Sequence, residues 1–163
     1  MENLETATFA AGCFWGVQHY FDQVPGVITT RVGFTGGTVA NPTYEQVCNE
    51  ETGHADAIEI GFDPMLVTYE TLVKHFFRMH DPTQKNRQGP DVGENYRSVI
   101  FYHDESQESI AQNVLRSVQS RFKKPIVTSI EVAKEFYPAE DFHQKFSERT
   151  GRGCCHVGYT PLS

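Results

Sequence analysis

The stretch Gly12-Cys13-Phe14-Trp15-Gly16 sets a thiol beside two aromatic rings and between two glycines, a composition suited to a nucleophile in a pocket. Thr6 to Ala11 is β-compatible, and Phe14, Val17, Phe21 and Val24 recur at helical spacing, which predicts a strand-to-helix turn at Cys13. Backbone N–H groups at a helix N-terminus favour a thiolate, and flanking glycines let a substrate approach its sulfur. The competing reading is a buried structural cysteine. A second candidate lies where Ile58, Ile60 and Phe62 alternate with Ala57, Glu59 and Gly61, because the same period carries His54 and Asp56 to the core side. A carboxyl in an apolar site has its pKa raised towards neutrality, as a general acid requires. Alternatively, the strand begins at Ala57 and Asp56 ends a solvated loop. Finally, Cys154 and Cys155 stand side by side after Gly151 and Gly153. An early thiol and a late vicinal pair that meet in space would suit redox cycling better than stapling.

The elements that must position these groups are those of an ordinary globular protein. The 163 residues suffice for one domain with a real core, and no Pro/Ser-rich linker, charge block or repeat divides them. We expect a single domain over 1–163 with a flexible, cysteine-bearing tail at about 148–163. A net charge of −7 and scattered cations, apart from Arg121, Lys123 and Lys124, argue against nucleic acid. No apolar run approaches a membrane span and the N-terminus has no basic region, which points to the cytoplasm. Four cysteines without a CxxC pair fit reduced thiols better than a disulfide scaffold or zinc knuckle.

Along the chain, Val27 to Val32 is a β-branched run ending in the glycine-rich Gly33 to Gly37, and the stretch from Tyr44 to Cys48 suits a helical turn. Thr68 caps a helix whose Tyr69, Leu72, Val73, Phe76 and Phe77 form an apolar stripe. A polar loop runs from there to Arg97. Ser98 to Tyr102 reads as a strand, Asp104 with Gln107 as a capping box, and Thr128 to Ala133 as a last strand before a short helix from Ala139 to Phe146. The pattern predicts an α+β fold: a two-layer sandwich with a mixed sheet and a split βαβ, ferredoxin-like core.

Read together, the motifs resemble the peptide methionine sulfoxide reductases of the A type. GCFWG at 12–16, GFTGG at 33–37, NPTY at 41–44, TGHAD at 52–56, FDP at 62–64, HDPT at 80–83, RQGPDVG at 87–93, YRS at 96–98 and AEDFHQKF at 139–146 fall in that family's order. The resemblance implies that Cys13 attacks the sulfoxide sulfur and becomes a sulfenic acid, with Phe14 and Trp15 around the S-methyl group. It implies that Asp56, Tyr44 and Tyr96 handle the sulfoxide oxygen and that Asp91 helps place the pocket or the substrate main chain. It further implies action on the S epimer, free or in proteins, regeneration by thioredoxin, and no metal or organic cofactor. Two departures stand out: Asp56 replaces the family's Glu, and the tail pair replaces the usual spacing of the recycling cysteine. The match of Cys155-His156 makes Cys155 the expected resolving thiol, with Cys154 relaying the bond outward. Cys48 occupies a common family position and reads as a packed thiol.

Two other classes compete. A cysteine hydrolase would pair Cys13 with a histidine such as His54 or His143. A non-enzymatic binder would use Cys48, His54, Cys154, Cys155 and His156 as metal ligands, or Trp15 as a docking aromatic.

Overall fold

The computed structural model describes residues 4–49 and 52–145. In chain order the elements are β1 (Glu5–Ala11), α1 (Phe14–Phe21), β2 (Val27–Thr35), α2 (Tyr44–Asn49), β3 (Ala55–Phe62), α3 (Tyr69–Met79), β4 (Arg87–Gln88), β5 (Asp91–Val92), β6 (Ser98–Tyr102), α4 (Glu105–Val118), β7 (Ser129–Val132) and β8 (Tyr137–Pro138). The main sheet has six strands in the order β7-β6-β1-β3-β2-β8. Its β6–β7 pair is parallel and its other pairs are antiparallel, so the sheet is mixed. Within it, β6-β1-β3-β2 is the strand order of a ferredoxin-like split βαβ, where β3 lies between β1 and β2.

Alternation decides which face is covered. Ala7, Phe9 and Ala11 of β1, Ile58, Ile60 and Phe62 of β3, and Ile100 of β6 join Phe14, Phe21, Leu72, Val73, Phe76 and Val114 of the helices in one core. The α3 stripe is buried as its spacing predicts, and the Thr68 hydroxyl accepts the Thr71 N–H at 3.1 Å. At α4 the Asp104 carboxylate caps the Gln107 N–H at 2.9 Å, but the Gln107 side chain turns to the His103 N–H and the Thr6 carbonyl instead of closing the box.

Three local expectations are corrected. Strand β2 continues through Gly33, Phe34 and Thr35, which pair with Ala57, Asp56 and Ala55. Residues 139–145 contain a single turn of 3₁₀ helix, Asp141–His143, because Gln144 turns away to bond Val32 and Lys145 takes a left-handed φ of 58°. Cys48 is exposed, since the six-residue α2 sends Val47 into the core in its place.

Candidate active site

Strand β1 delivers Cys13 to the site end of the sheet. Gly12 makes the turn with φ of 99°, a region that a side chain disfavours, and Cys13 follows as the N-cap of α1. Its side chain makes no capping bond, and the residue is 8% exposed. As the N-cap residue it stands at the positive end of the α1 dipole, which suits an anionic sulfur. The next two residues build the wall. Trp15, Tyr44 and His143 stack, with ring centroids 6.0 Å apart for Trp15–Tyr44, 5.7 Å for Trp15–His143 and 4.3 Å for Tyr44–His143. Phe14 tilts against all three rings and against Phe34. Trp15 Nε1 donates to His143 Nδ1 at 3.2 Å, which fixes both rings. A cavity of about 470 Å³ opens here, lined by Trp15, Thr43, Tyr44, Glu45, Glu140 and His143. A larger one, about 530 Å³, lies at the α3 and α4 ends around Arg78, Asp81, Arg121 and Lys124; it contains no thiol and none of the groups described here.

Asp56 has the core parity that the alternation of β3 predicts, because the strand begins at Ala55 and not at Ala57. Its exposure is 1%, and neither carboxylate oxygen makes a well-formed hydrogen bond among the described residues; the Phe14 N–H and the Asn95 amide approach it at poorer geometry. Burial pushes its pKa well above the usual carboxylate range; the nearby Phe14 N–H and Asn95 amide oppose this and are outweighed, and Asp91 adds to it. Asp91 is therefore within electrostatic reach, from the β4–β5 hairpin. Tyr96 ends a 3₁₀ turn, and its hydroxyl is pushed up by burial and then by the charges of Asp56, Cys48 and Cys13. Tyr44 is pushed up by burial and then by Cys48, with Tyr96 and Asp56 contributing. Both phenols thus stay protonated, as donors. Although the Cys48 residue is exposed, its thiol is partly desolvated beside Tyr44, Asp56 and Tyr96, which raises it as well.

The structure therefore brings Cys13, Phe14, Trp15, Tyr44, Asp56, Asp91 and Tyr96 to one end of the sheet. Cys154 and Cys155 lie outside the described residues. Sequence reasoning under-read two side chains. Asn95 is buried beside Asp56, its Nδ2 without a well-formed hydrogen bond among the described residues, and its position before Tyr96 is the available signal. His143, a candidate base for a hydrolase, stacks on Trp15 and Tyr44 as a wall of the cavity. His54 does not serve a hydrolase either. Its Nδ1 accepts the Gly37 N–H at 3.0 Å, and its Nε2 lies 2.7 Å from the Val39 carbonyl, so both ring nitrogens are committed to the glycine loop. That loop comes so close that a Cβ on Gly37 would fall on the backbone of Thr52 and His54.

The sequence profile described as "Peptide methionine sulfoxide reductase" matches residues 5–163. The chain belongs to that family. It is 55% identical over 152 residues to the peptide methionine sulfoxide reductase MsrA of Methanosarcina acetivorans, covering 92% of this chain and 81% of that one. Among solved structures it is similar to methionine sulfoxide reductase A of Corynebacterium diphtheriae, with 34% identity, a TM-score of 0.84, and 95% and 79% of the two chains covered. It is also similar to Mxr1 from Saccharomyces cerevisiae in reduced form, with 30% identity, a TM-score of 0.89, and coverage of 97% and 93%. Mxr1 has also been solved in complex with Trx2; at 23% identity, a TM-score of 0.64, and coverage of 97% and 91%, that likeness speaks for the fold alone. As a member of the peptide methionine sulfoxide reductases, the chain is an oxidoreductase. Among the described residues no helix is long and apolar enough to cross a membrane.

Proposed function

We propose that the chain reduces the S epimer of methionine sulfoxide, free or in proteins, to methionine, with Cys13 as nucleophile. The observation that carries the reading is the buried Asp56 carboxyl, which makes no well-formed hydrogen bond among the described residues, is approached only by the Phe14 N–H and the Asn95 amide, and neighbours two protonated phenols close to a helix-cap thiol. Such a group is expensive to bury without purpose, and a sulfoxide oxygen would be its missing partner. In this reading the Cys13 sulfur bonds to the sulfoxide sulfur while Asp56 gives its proton to the oxygen, and the Tyr44 and Tyr96 hydroxyls donate to that same oxygen. Collapse releases methionine and leaves the oxygen on Cys13 as a sulfenic acid. Phe14 and Trp15 exclude water and hold the S-methyl group, and Asp91 helps place the pocket or the substrate main chain.

A second thiol must then condense with the sulfenic acid, releasing water and forming a disulfide. We assign this to Cys155 on the tail of about 148–163, appended to an otherwise single domain, with Cys154 relaying the bond to thioredoxin. The resemblance of Cys155-His156 to the family's recycling cysteine supports this. Cycling through reduced thiols fits the cytoplasm, where thiols are kept reduced. The test is a single turnover with methionine-S-sulfoxide and no reductant, followed by peptide mapping. A Cys13–Cys155 bond and one methionine per two thiols lost are expected. Acyl transfer without thiol loss would favour the hydrolase, and a Cys13–Cys48 bond would overturn the recycling assignment. Cys155→Ser should still release about one methionine per enzyme and then stall with thioredoxin.

A further inference from the structure

The far end of the sheet carries a methionine that the reaction above would recognise as substrate. Met65 is 88% exposed, whereas Met79 is 5% exposed and packed in the core. Its side chain stands at the tip of a turn that needs no fraying to present it. The Asp63 carboxylate accepts the Met65 N–H at 2.9 Å, the Asp63 carbonyl accepts the N–H groups of Leu66 and Val67 at 2.9 and 3.0 Å, and the Asp63 N–H donates to Gly26 O at 2.9 Å. Val67 anchors the turn in the core, and the adjacent Leu66 is 66% exposed. An exposed thioether on a fixed turn is open to two-electron oxidants such as hydrogen peroxide.

Geometry also decides which site could repair it. Strand β3 runs from Asp56 at the catalytic end to Phe62, beside the turn, a span of about 20 Å. Because β3 is bonded to β1 on one side and β2 on the other, Met65 is held away from the Cys13 of its own chain. We propose that Met65 is an oxidisable site on this protein and that its S-sulfoxide is a substrate for the Cys13 site of a second copy. This rests on the reductase reading above. Peroxide transfers one oxygen to the Met65 sulfur and leaves as water. The second copy's Cys13 then takes that oxygen as a sulfenic acid, returning Met65 to the thioether, and two thiols of that copy become a disulfide with loss of water.

The test uses the full-length Cys13→Ser variant, and in parallel wild type alkylated with iodoacetamide, as repair-incompetent substrates. Each is treated with hydrogen peroxide, quenched, and mixed with a small molar fraction of untreated wild type, dithiothreitol and N-acetyl-methionine-S-sulfoxide. Peptide mass mapping follows the one-oxygen increment on Met65, with a tube lacking wild type as control. About half of the Met65 sulfoxide should revert, the S-epimer half, with several turnovers per active enzyme. Consumption of the small sulfoxide while Met65 sulfoxide persists would overturn self-repair and leave the reductase reading standing. Failure of peroxide to oxidise Met65 under conditions that oxidise a reference peptide would also overturn it. Consumption of neither sulfoxide would remove the reductase reading, and this proposal with it.

Discussion

His54 and Asp56 lie two residues apart and are 2% and 1% exposed, yet they are treated in opposite ways. The His54 N–H bonds the Thr52 hydroxyl at 3.1 Å, and both ring nitrogens meet backbone groups of the loop after β2. Asp56 makes no bond of comparable geometry among the described residues, with only the Phe14 N–H and the Asn95 amide approaching it. Full satisfaction of a buried polar group marks a brace, here one that clips the glycine loop to the start of β3. An orphaned carboxyl marks a group kept for something that comes and goes. The two residue types alone do not distinguish these roles.

Substitutions should separate the brace from the acid. The largest effect is expected at the nucleophile beside them: Cys13→Ser should reduce methionine release from the S-sulfoxide to background while the circular dichroism spectrum is retained, because a hydroxyl is a far weaker nucleophile towards sulfur. Next, Asp56→Asn should slow the single-turnover reductive step by about 10²- to 10⁴-fold, the usual worth of a positioned acid. The same variant should melt higher than wild type at neutral pH, since it removes a carboxyl that burial disfavours in its charged form. An unchanged rate would transfer the acid role to Tyr44 and Tyr96.

His54→Ala should do the reverse, costing about 1–3 kcal/mol of stability by leaving the Gly37 N–H and Val39 carbonyl unpaired. Its chemical step should fall by less than about tenfold, a change of ~1.4 kcal/mol in the barrier. A loss as large as that of Asp56→Asn would erase the distinction. The smallest effect is in the pH dependence. A carboxyl whose folded pKa is raised makes the native state bind more protons than the unfolded chain, so its contribution to stability falls as pH rises from about 4 towards the folded value. The melting advantage of Asp56→Asn should therefore shrink towards zero as the pH is lowered to about 4. His75, which burial and then Arg78 push down to about 4, runs the other way in both proteins. Its contribution is present above about pH 6.5 and lost as the pH falls towards 4.

Periodicity made α1, α3, α4, β1, β3 and β6 legible, because each buries one face and the apolar spacing records which. It also gave Asp56 its inward parity. What it could not record is partnership. The absence of a well-formed hydrogen bond to Asp56, and the stacking of Tyr44, Trp15 and His143 from separate segments, exist only after the sheet has closed. Val47 and Cys48 are adjacent apolar residues on a six-residue helix, too short for spacing to tell which one is buried. Residues 139–145 have helix-forming composition, but the bonds of Gln144 to β2 outcompete it. The two-residue β8 is likewise held by its partner, with Gly33 passing under Tyr137 where a Cβ would not fit.

Gln144 has a consequence for the protein's motions. Its side-chain amide accepts the Val32 N–H and donates to the Val32 and Ala139 carbonyls, each at 2.9 Å, while the Lys145 N–H reaches Gln18 Oε1 at 2.6 Å. The segment carrying His143 is therefore docked by side-chain bonds and a two-residue strand pairing, against the long ladders that join β1, β2 and β3. In native-state hydrogen exchange, Val32 and Ala139 amides should open together at a lower free energy than Ile58 and Ile60 amides, as one cooperative unit. Because His143 walls the cavity, each such opening would dismantle the pocket while Cys13 and Asp56 stay in place.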